Sequence, residues 1–230
     1  MVGAFVASGL RAAALALALD DVTPPADALQ ELVAQGVTVE RLADVGVIAD
    51  WRAAIAACGL KPSTYKSSPE QLARRLFKSG PLHTPLVLVD VYCDVAVRWL
   101  APLGAYDVGL LPTGAIELRL ASPDSDVFHP LGAKDGEMPL TPQVAVYGDG
   151  PAVICWAYNC RDSRDTCLQE DTDVGLFIGE AVTERQGAPL RSALDDLRAR
   201  LSGAGAVVGA AVYATAGSGA VAVEVGVGGP

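Results

Sequence analysis

The chain has 230 residues, 51% of them hydrophobic and 19% charged, with a formal net charge of −10. A chain this long and apolar can bury a full core, which excludes global disorder. The acidic balance excludes a protein that coats DNA through overall charge, although it leaves room for a local basic face.

The apolar start, Met1 to Leu19, is interrupted by Arg11 and has no charged n-region. It is too short to span a bilayer and makes a poor signal peptide. Five cysteines, at 58, 93, 155, 160 and 167, are too few for a disulfide scaffold and odd in number. A cytoplasmic protein without membrane attachment is the expectation.

In chain order, the Leu/Ala alternation over residues 10–19 predicts a strand. The stretch from Thr23 to Asp27 reads as a helix entry, with the helix over Ala28 to Ala34. Residues 40–58 read as one or two helices stopped by Gly59. Ser68 as N-cap, Pro69 in the first turn and Gln71 three residues on predict a helix over 69–78. Leu72, Leu76 and Phe77 would face inward, and Arg74, Arg75 and Lys78 outward. Residues 86–100 form an apolar run that fits strand or helix. Short runs at Ile116–Ala121, Val144–Tyr147, Ala152–Trp156 and Val174–Ile178, parted by turn residues, predict β-strands. Residues 190–201 are an amphipathic helix, and the end of the chain reads as a hairpin turning at 217–219. The class is α+β: a single compact domain over 1–230, with a mixed or antiparallel sheet and flanking helices.

Several site types find no support. Two histidines, His83 and His129, are too few for a histidine-rich zinc site, and the spacing of Cys155, Cys160 and Cys167 fits no common zinc pattern. There is no phosphate-binding G-x-x-x-x-G-K-[ST] and no G-x-S-x-G. Gly203, Gly205 and Gly209 miss the dinucleotide fingerprint by one residue and read as a turn. No metal and no cofactor are expected.

Three constellations stand out. Residues 61–80 carry five basic groups (Lys61, Lys66, Arg74, Arg75, Lys78) against Glu70, on an acidic chain. Such a patch suits phosphates, or is simply a solvated helix face. The hydroxyls of Ser63, Thr64 and Tyr65 could add donors to a phosphate backbone. Asp90 and Asp94 sit in the apolar run, where a carboxylate must be paired, functional or on an exposed edge. The polar stretch from Trp156 to Asp165 follows a buried strand, the kind of loop that carries function, or an ordinary salt-bridged loop.

At these places the sequence resembles a family. GLKPSTYKSSPEQLARRLFKSG, PLVLVDVYCDVAVRWLAPLGAYDVG and YNCRDSRDTCLQEDT, in that order, are similar to stand-alone B3/B4-domain proteins. That domain is the editing module of the phenylalanyl-tRNA synthetase beta subunit. The resemblance covers about residues 45–185. It implies an α+β fold and hydrolysis of mischarged aminoacyl-tRNA in trans, with tRNA as partner and no DNA.

Carried over by motif, Val89–Cys93 resembles a segment with a Thr-Asn pair lining the editing pocket, and Tyr92 and Cys93 take those two places. Ala101–Asp107 is similar to the segment holding a pocket histidine, whose place Gly104 takes; Tyr106 falls in the same stretch. Asn159–Ser163 resembles a turn bearing a pocket glutamate, with Arg161 near that place, and Thr172 matches a pocket-floor threonine. The implied roles are these. Asp90 or Asp94 orients the ammonium or accepts a proton, and Arg161 and Ser163 hold the carbonyl oxygen or terminal phosphate. Tyr92, Cys93, Gly104, Tyr106, Asn159, Asp162 and Thr172 bind the aminoacyl group. Lys61, Ser63, Tyr65, Lys66, Arg74, Arg75 and Lys78 dock the tRNA end. Without the histidine, a polar or guanidinium-type amino acid, such as canavanine on arginine tRNA, suits the acidic residues. Two other readings stay open: a non-catalytic RNA-binding module of the same fold, and a small-molecule enzyme or binder using the same cleft.

Overall fold

A computed structural model describes residues 1–19, 32–80, 83–133, 136–217 and 219. The helix expected at Ala28–Ala34 begins outside the described residues. Strand β1 (Val2–Ser8) leads into helix α1 (Leu10–Leu19), where the sequence pattern predicts a strand. The alternation misleads because both of its residue types are apolar and so define no polar face. Helix propensity of Ala and Leu then decides, and Leu10 and Ala13 bury.

A 3-10 turn (Leu42–Asp44) and α2 (Gly46–Ala57) occupy the predicted helical stretch, with Ile48, Trp51 and Ile55 buried. Helix α3 (Ser68–Ser79) starts one residue earlier than expected. Its N-cap is Ser67, not Ser68, and Gln71 bonds the carbonyls of Lys66 and Cys160 instead of closing a capping box. The ambiguous apolar run is helix α4 (Val87–Trp99).

Strands β2 (Leu103–Asp107) and β7 (Val174–Glu180) join β1 in one antiparallel sheet of order β2-β7-β1-β8, where β8 is Val207–Val208; β9 (Val212–Ala214) also pairs β1. The tail therefore adds its strands to β1. The far arm of the hairpin expected at 217–219 lies outside the described residues. A second antiparallel sheet has the order β3-β4-β5-β6: Ile116–Leu120, Ala145–Asp149, Ala152–Trp156 and Arg161–Asp162. Helix α5 (Gly187–Gly203) follows β7. Among the described residues no helix is long and apolar enough to cross a membrane.

Strand alternation sorts the two faces of the first sheet. Phe5 and Phe177 stack at 5.0 Å and point to the helices, against Leu190, Leu194 and Leu197 of α5 and Val91 and Val95 of α4. Gly179 belongs to that helix face, and a Cβ on it would come within 2.5 Å of Leu190 and 2.9 Å of Leu103, so its bareness lets α5 approach. Val6, Tyr106, Leu176 and Ile178 point the other way and meet Tyr147, Ile154 and Cys155 of the second sheet. Glu180, two residues past Ile178, continues that inter-sheet face.

Candidate functional site

At one end of the inter-sheet layer lies a small open cleft, about 310 Å³ when the adjoining solvent space is counted. Pro102, Leu103 and Ile178 supply apolar wall, and Ser68 stands at the start of α3. Two carboxyl groups, Asp162 and Glu180, face it with Tyr106, Tyr147, Tyr158 and Asn159.

Glu180 is 5% exposed. It accepts from the Tyr147 hydroxyl at 2.6 Å and from Asn159 Nδ2 at 2.6 Å. Burial raises its pKa to about 7, against the pull of those two donors, and the nearby Asp162 adds to the rise. Asp162 accepts from the Tyr106 hydroxyl at 2.9 Å, and burial likewise pushes its carboxyl up. Both tyrosines are raised well above their ordinary value, first by burial and then by the facing carboxylate, so they are fixed donors.

Asn159 reaches the cleft through an unusual turn. Ala157 and Tyr158, directly after β5, both adopt left-handed backbone (φ 53° and 60°). Such residues cost of order 1–3 kcal/mol each and persist where surroundings hold them. Tyr158 N donates to the Ala145 carbonyl at 3.2 Å, and Trp51 meets the Tyr158 ring edge-on at 5.8 Å. Asn159 is then held at both ends, because its Oδ1 accepts from Ser68 N at 2.9 Å. The hydroxyls of Ser67 and Ser68 are buried and have no hydrogen-bond partner. A buried polar group left unpaired costs about 1–3 kcal/mol, which a ligand could offset.

Four residues singled out in the sequence, Gly104, Tyr106, Asn159 and Asp162, line this cleft. Gly104 and Tyr106 share a strand face, and a Cβ on Gly104 would lie 2.7 Å from the Tyr106 hydroxyl. A larger side chain at 104 would therefore displace the hydroxyl that bonds Asp162.

Other expected positions are elsewhere. Asp90 accepts from Thr84 N at 2.9 and 3.1 Å, ahead of α4. Asp94 is 6% exposed and faces α5, bonded to Arg200 at 2.6 Å with Arg98 4.0 Å away. Neither carboxylate borders the cleft, because their positions on α4 turn them to the lead-in loop and to α5. Ser163 is buried, donating to the His129 carbonyl at 3.3 Å and accepting from Asp165 N, so it braces a loop. Arg161 is exposed: consecutive strand residues point to opposite faces, and Asp162 takes the cleft side. Thr172 donates to Asp107 at 2.5 Å and accepts from Gln169 N, tying the loop to β2. Tyr92 and Cys93 lie on α4, outside the lining. Burial and then the Asp162 charge raise Cys93 to about 12, while burial followed by Cys93 and Asp162 raises Tyr92 well above normal.

Of the basic segment, Arg74 is committed internally: it bonds Glu70 at 2.8 Å and the Val39 carbonyl at 2.9 Å. Arg52 also holds the fully buried Glu70, at 2.9 and 3.0 Å. The Lys66 ammonium donates to the Ser63 carbonyl. Lys61, Ser63, Tyr65, Arg75 and Lys78 are exposed. Loop 61–67 runs directly into Ser68 at the cleft.

Sequence reasoning missed Glu180, Tyr147 and Ser68. Glu180 was findable: the apolar alternation Leu176, Ile178 carries on to it, so an acid there must face the interior. Among the described residues no group of three or more His, Cys, Asp and Glu could hold a metal, and all five cysteines are free thiols.

No curated protein matches the chain. One similar solved structure is an N-terminal fragment of the phenylalanyl-tRNA synthetase beta-subunit from Pyrococcus horikoshii. The identity is 16% and the TM-score 0.44, with 53% of this chain and 40% of that one covered. The chain thus spans about two fifths of that fragment's length. The B3/4 domain family matches residues 50–191, from within α2 through all of β7 and into α5. With more than half of its length matched in this way, the chain belongs to the B3/4 domain family.

Proposed function

We propose that the chain binds tRNA and hydrolyses the ester of a mischarged aminoacyl-tRNA in the Asp162–Glu180 cleft. The observation that carries the reading is that two carboxyl groups, Asp162 and the buried Glu180, face one cleft whose wall includes Ser68 at the N-terminus of α3, into which the basic loop 61–67 runs. Family membership supports it, since the sequence resembles the editing module of the phenylalanyl-tRNA synthetase beta subunit.

The chemistry would run as follows. A water attacks the acyl carbonyl carbon, and the bond from that carbon to the ribose oxygen breaks. The water's proton passes to a base, which hands it to the ribose oxygen as that oxygen leaves as a hydroxyl, and the amino acid departs with its carboxylate free. Glu180, with a pKa of about 7, is matched to general-base work near neutral pH, a contribution of about 10²–10⁴-fold. Asp162 pairs with the substrate ammonium, whose charge would favour ionisation of both acids. The unpartnered Ser68 hydroxyl, at the positive end of α3, faces the carbonyl oxygen. With Glu180 as base, a polar or guanidinium-type side chain, canavanine on arginine tRNA being one such substrate, would share Asp162 with the ammonium.

The test is a panel of mischarged tRNAs incubated with the protein, following release of the amino acid. Turnover of one pair above the rate of spontaneous hydrolysis is expected. Gly104 in place of a histidine favours a second reading, a non-catalytic RNA-binding module; binding without turnover of any pair would establish that instead. A bound metabolite in the cleft with no tRNA affinity would indicate a small-molecule site.

A further inference from the structure

The chain's aromatic side chains are all described, and among them Tyr65 is the one large exposed ring, 37% accessible. It does not hang free. Its ring meets Trp156, 6% exposed, edge-on at 5.1 Å and 72°. Its backbone N donates to the Lys61 carbonyl at 2.9 Å, closing a turn that brings Lys61 alongside. Lys66 follows directly, its ammonium tethered to the Ser63 carbonyl of the same turn. Arg161 is the cross-strand partner of Trp156, so its exposed side chain rises from the same face of the second sheet. An aromatic face thus stands among three cations on a chain of net charge −10.

We propose that Tyr65 is a stacking platform for the unpaired terminal base of an RNA 3′ end, with Lys61, Lys66 and Arg161 holding its phosphates. The inference rests on the reading that an aminoacyl-tRNA end enters the adjacent cleft. Stacking on an aromatic ring is indifferent to base identity, which suits an end shared by every tRNA. Cations around the ring attract the backbone and make binding salt-dependent. The location fits as well. Tyr65 is three residues from Ser68, a span of at most about 11 Å. Trp156 and Arg161 face away from the cleft while Cys155 and Asp162 line it. A base stacked on Tyr65 would therefore sit just outside the β6 edge, with its ribose ester turned inward past Ser68 and Asn159.

The experiment uses the full chain and an uncharged RNA hairpin with a single-stranded ACCA 3′ overhang, beside the same hairpin with an abasic terminal residue. Binding is read by fluorescence anisotropy at low salt. Wild type should prefer the complete overhang by about 5- to 150-fold, the range of one aromatic stack. Tyr65→Ala should remove that preference, and Tyr65→Trp should keep it; thermal melts check that both variants fold. Equal binding of both hairpins by wild type, or a preference that survives Tyr65→Ala, overturns the inference even if deacylation is intact. A Tyr65-dependent preference in a protein that deacylates nothing upholds the platform and refutes only the hydrolase reading.

Discussion

Replacing Glu180 by glutamine should flatten the pH dependence of stability. In the folded chain Glu180 has a pKa of about 7, against an ordinary value of 4.5. The folded state therefore holds a proton that the unfolded chain releases between those values. Stability from this group is present in full below about pH 4.5 and is lost as pH rises through about 7. The gap, at about 1.4 kcal/mol per pH unit, amounts to about 3 kcal/mol. Glutamine cannot ionise, so that loss disappears. Its amide oxygen can still accept from Tyr147, but its NH₂ faces the NH₂ of Asn159, a fixed penalty of about 1–3 kcal/mol. Urea unfolding at pH 5, 6, 7 and 8 should show the variant less stable than wild type at pH 5, with the difference closing by pH 8. Asp162 is also raised, so a shallower slope of the same sign should remain. Parallel curves, displaced by a constant amount across that range, would refute the reasoning.

Asp94→Ala should destabilise the fold by roughly 1–3 kcal/mol by urea titration, because the partly buried Arg200 guanidinium keeps Asp196 but loses its bond to Asp94. The folded variant should bind RNA as wild type does. Gly104→Ala should push on the Tyr106 hydroxyl, and its deacylation rate should fall by up to about tenfold, the worth of one hydrogen bond to Asp162, without loss of RNA affinity, measured side by side. Lys61→Ala should lower RNA affinity and reduce the salt slope of binding by about one unit, read by titration from low to moderate salt. Arg74→Ala should act mainly through stability, since Arg74 is already spent on Glu70 and Val39.

The sequence carried β3, β4 and β5 of the second sheet, because each falls in a short run between turn residues, but it read β6 (Arg161–Asp162) as part of a polar loop. Ala152–Trp156 matches residue for residue. It also placed α3 and α5, where polar and apolar faces separate clearly. It failed at α1, whose apolar composition hides its periodicity, and it identified no strand in β1 or β2, where Gly and Ala dilute the signal. For the site, the polar loop after β5 was legible as a place of function, yet not which of its side chains turns inward. That depends on the β5–β6 register, which sets Asp162 across from Cys155 and leaves Arg161 outside. Asp90 and Asp94 drew attention as acids in an apolar run, but their partners, Thr84 and Arg200, come from the preceding loop and from a helix far along the chain. Glu180 finds Tyr147 only once the two sheets are stacked.

The most direct measurement is single-turnover deacylation of the best mischarged tRNA from pH 5.5 to 8.5, for wild type and for Glu180→Gln and Asp162→Asn. Read with the protein below saturation, so that ionisation of the free protein sets the profile, the wild-type rate should climb with pH and level off above about 7, as Glu180 becomes the carboxylate. Glu180→Gln should be slower by about 10²–10⁴-fold and lose that inflection, and Asp162→Asn should be impaired at every pH. Wild-type rates in both variants, with an unchanged profile, would mean that the cleft is not where the ester is cut.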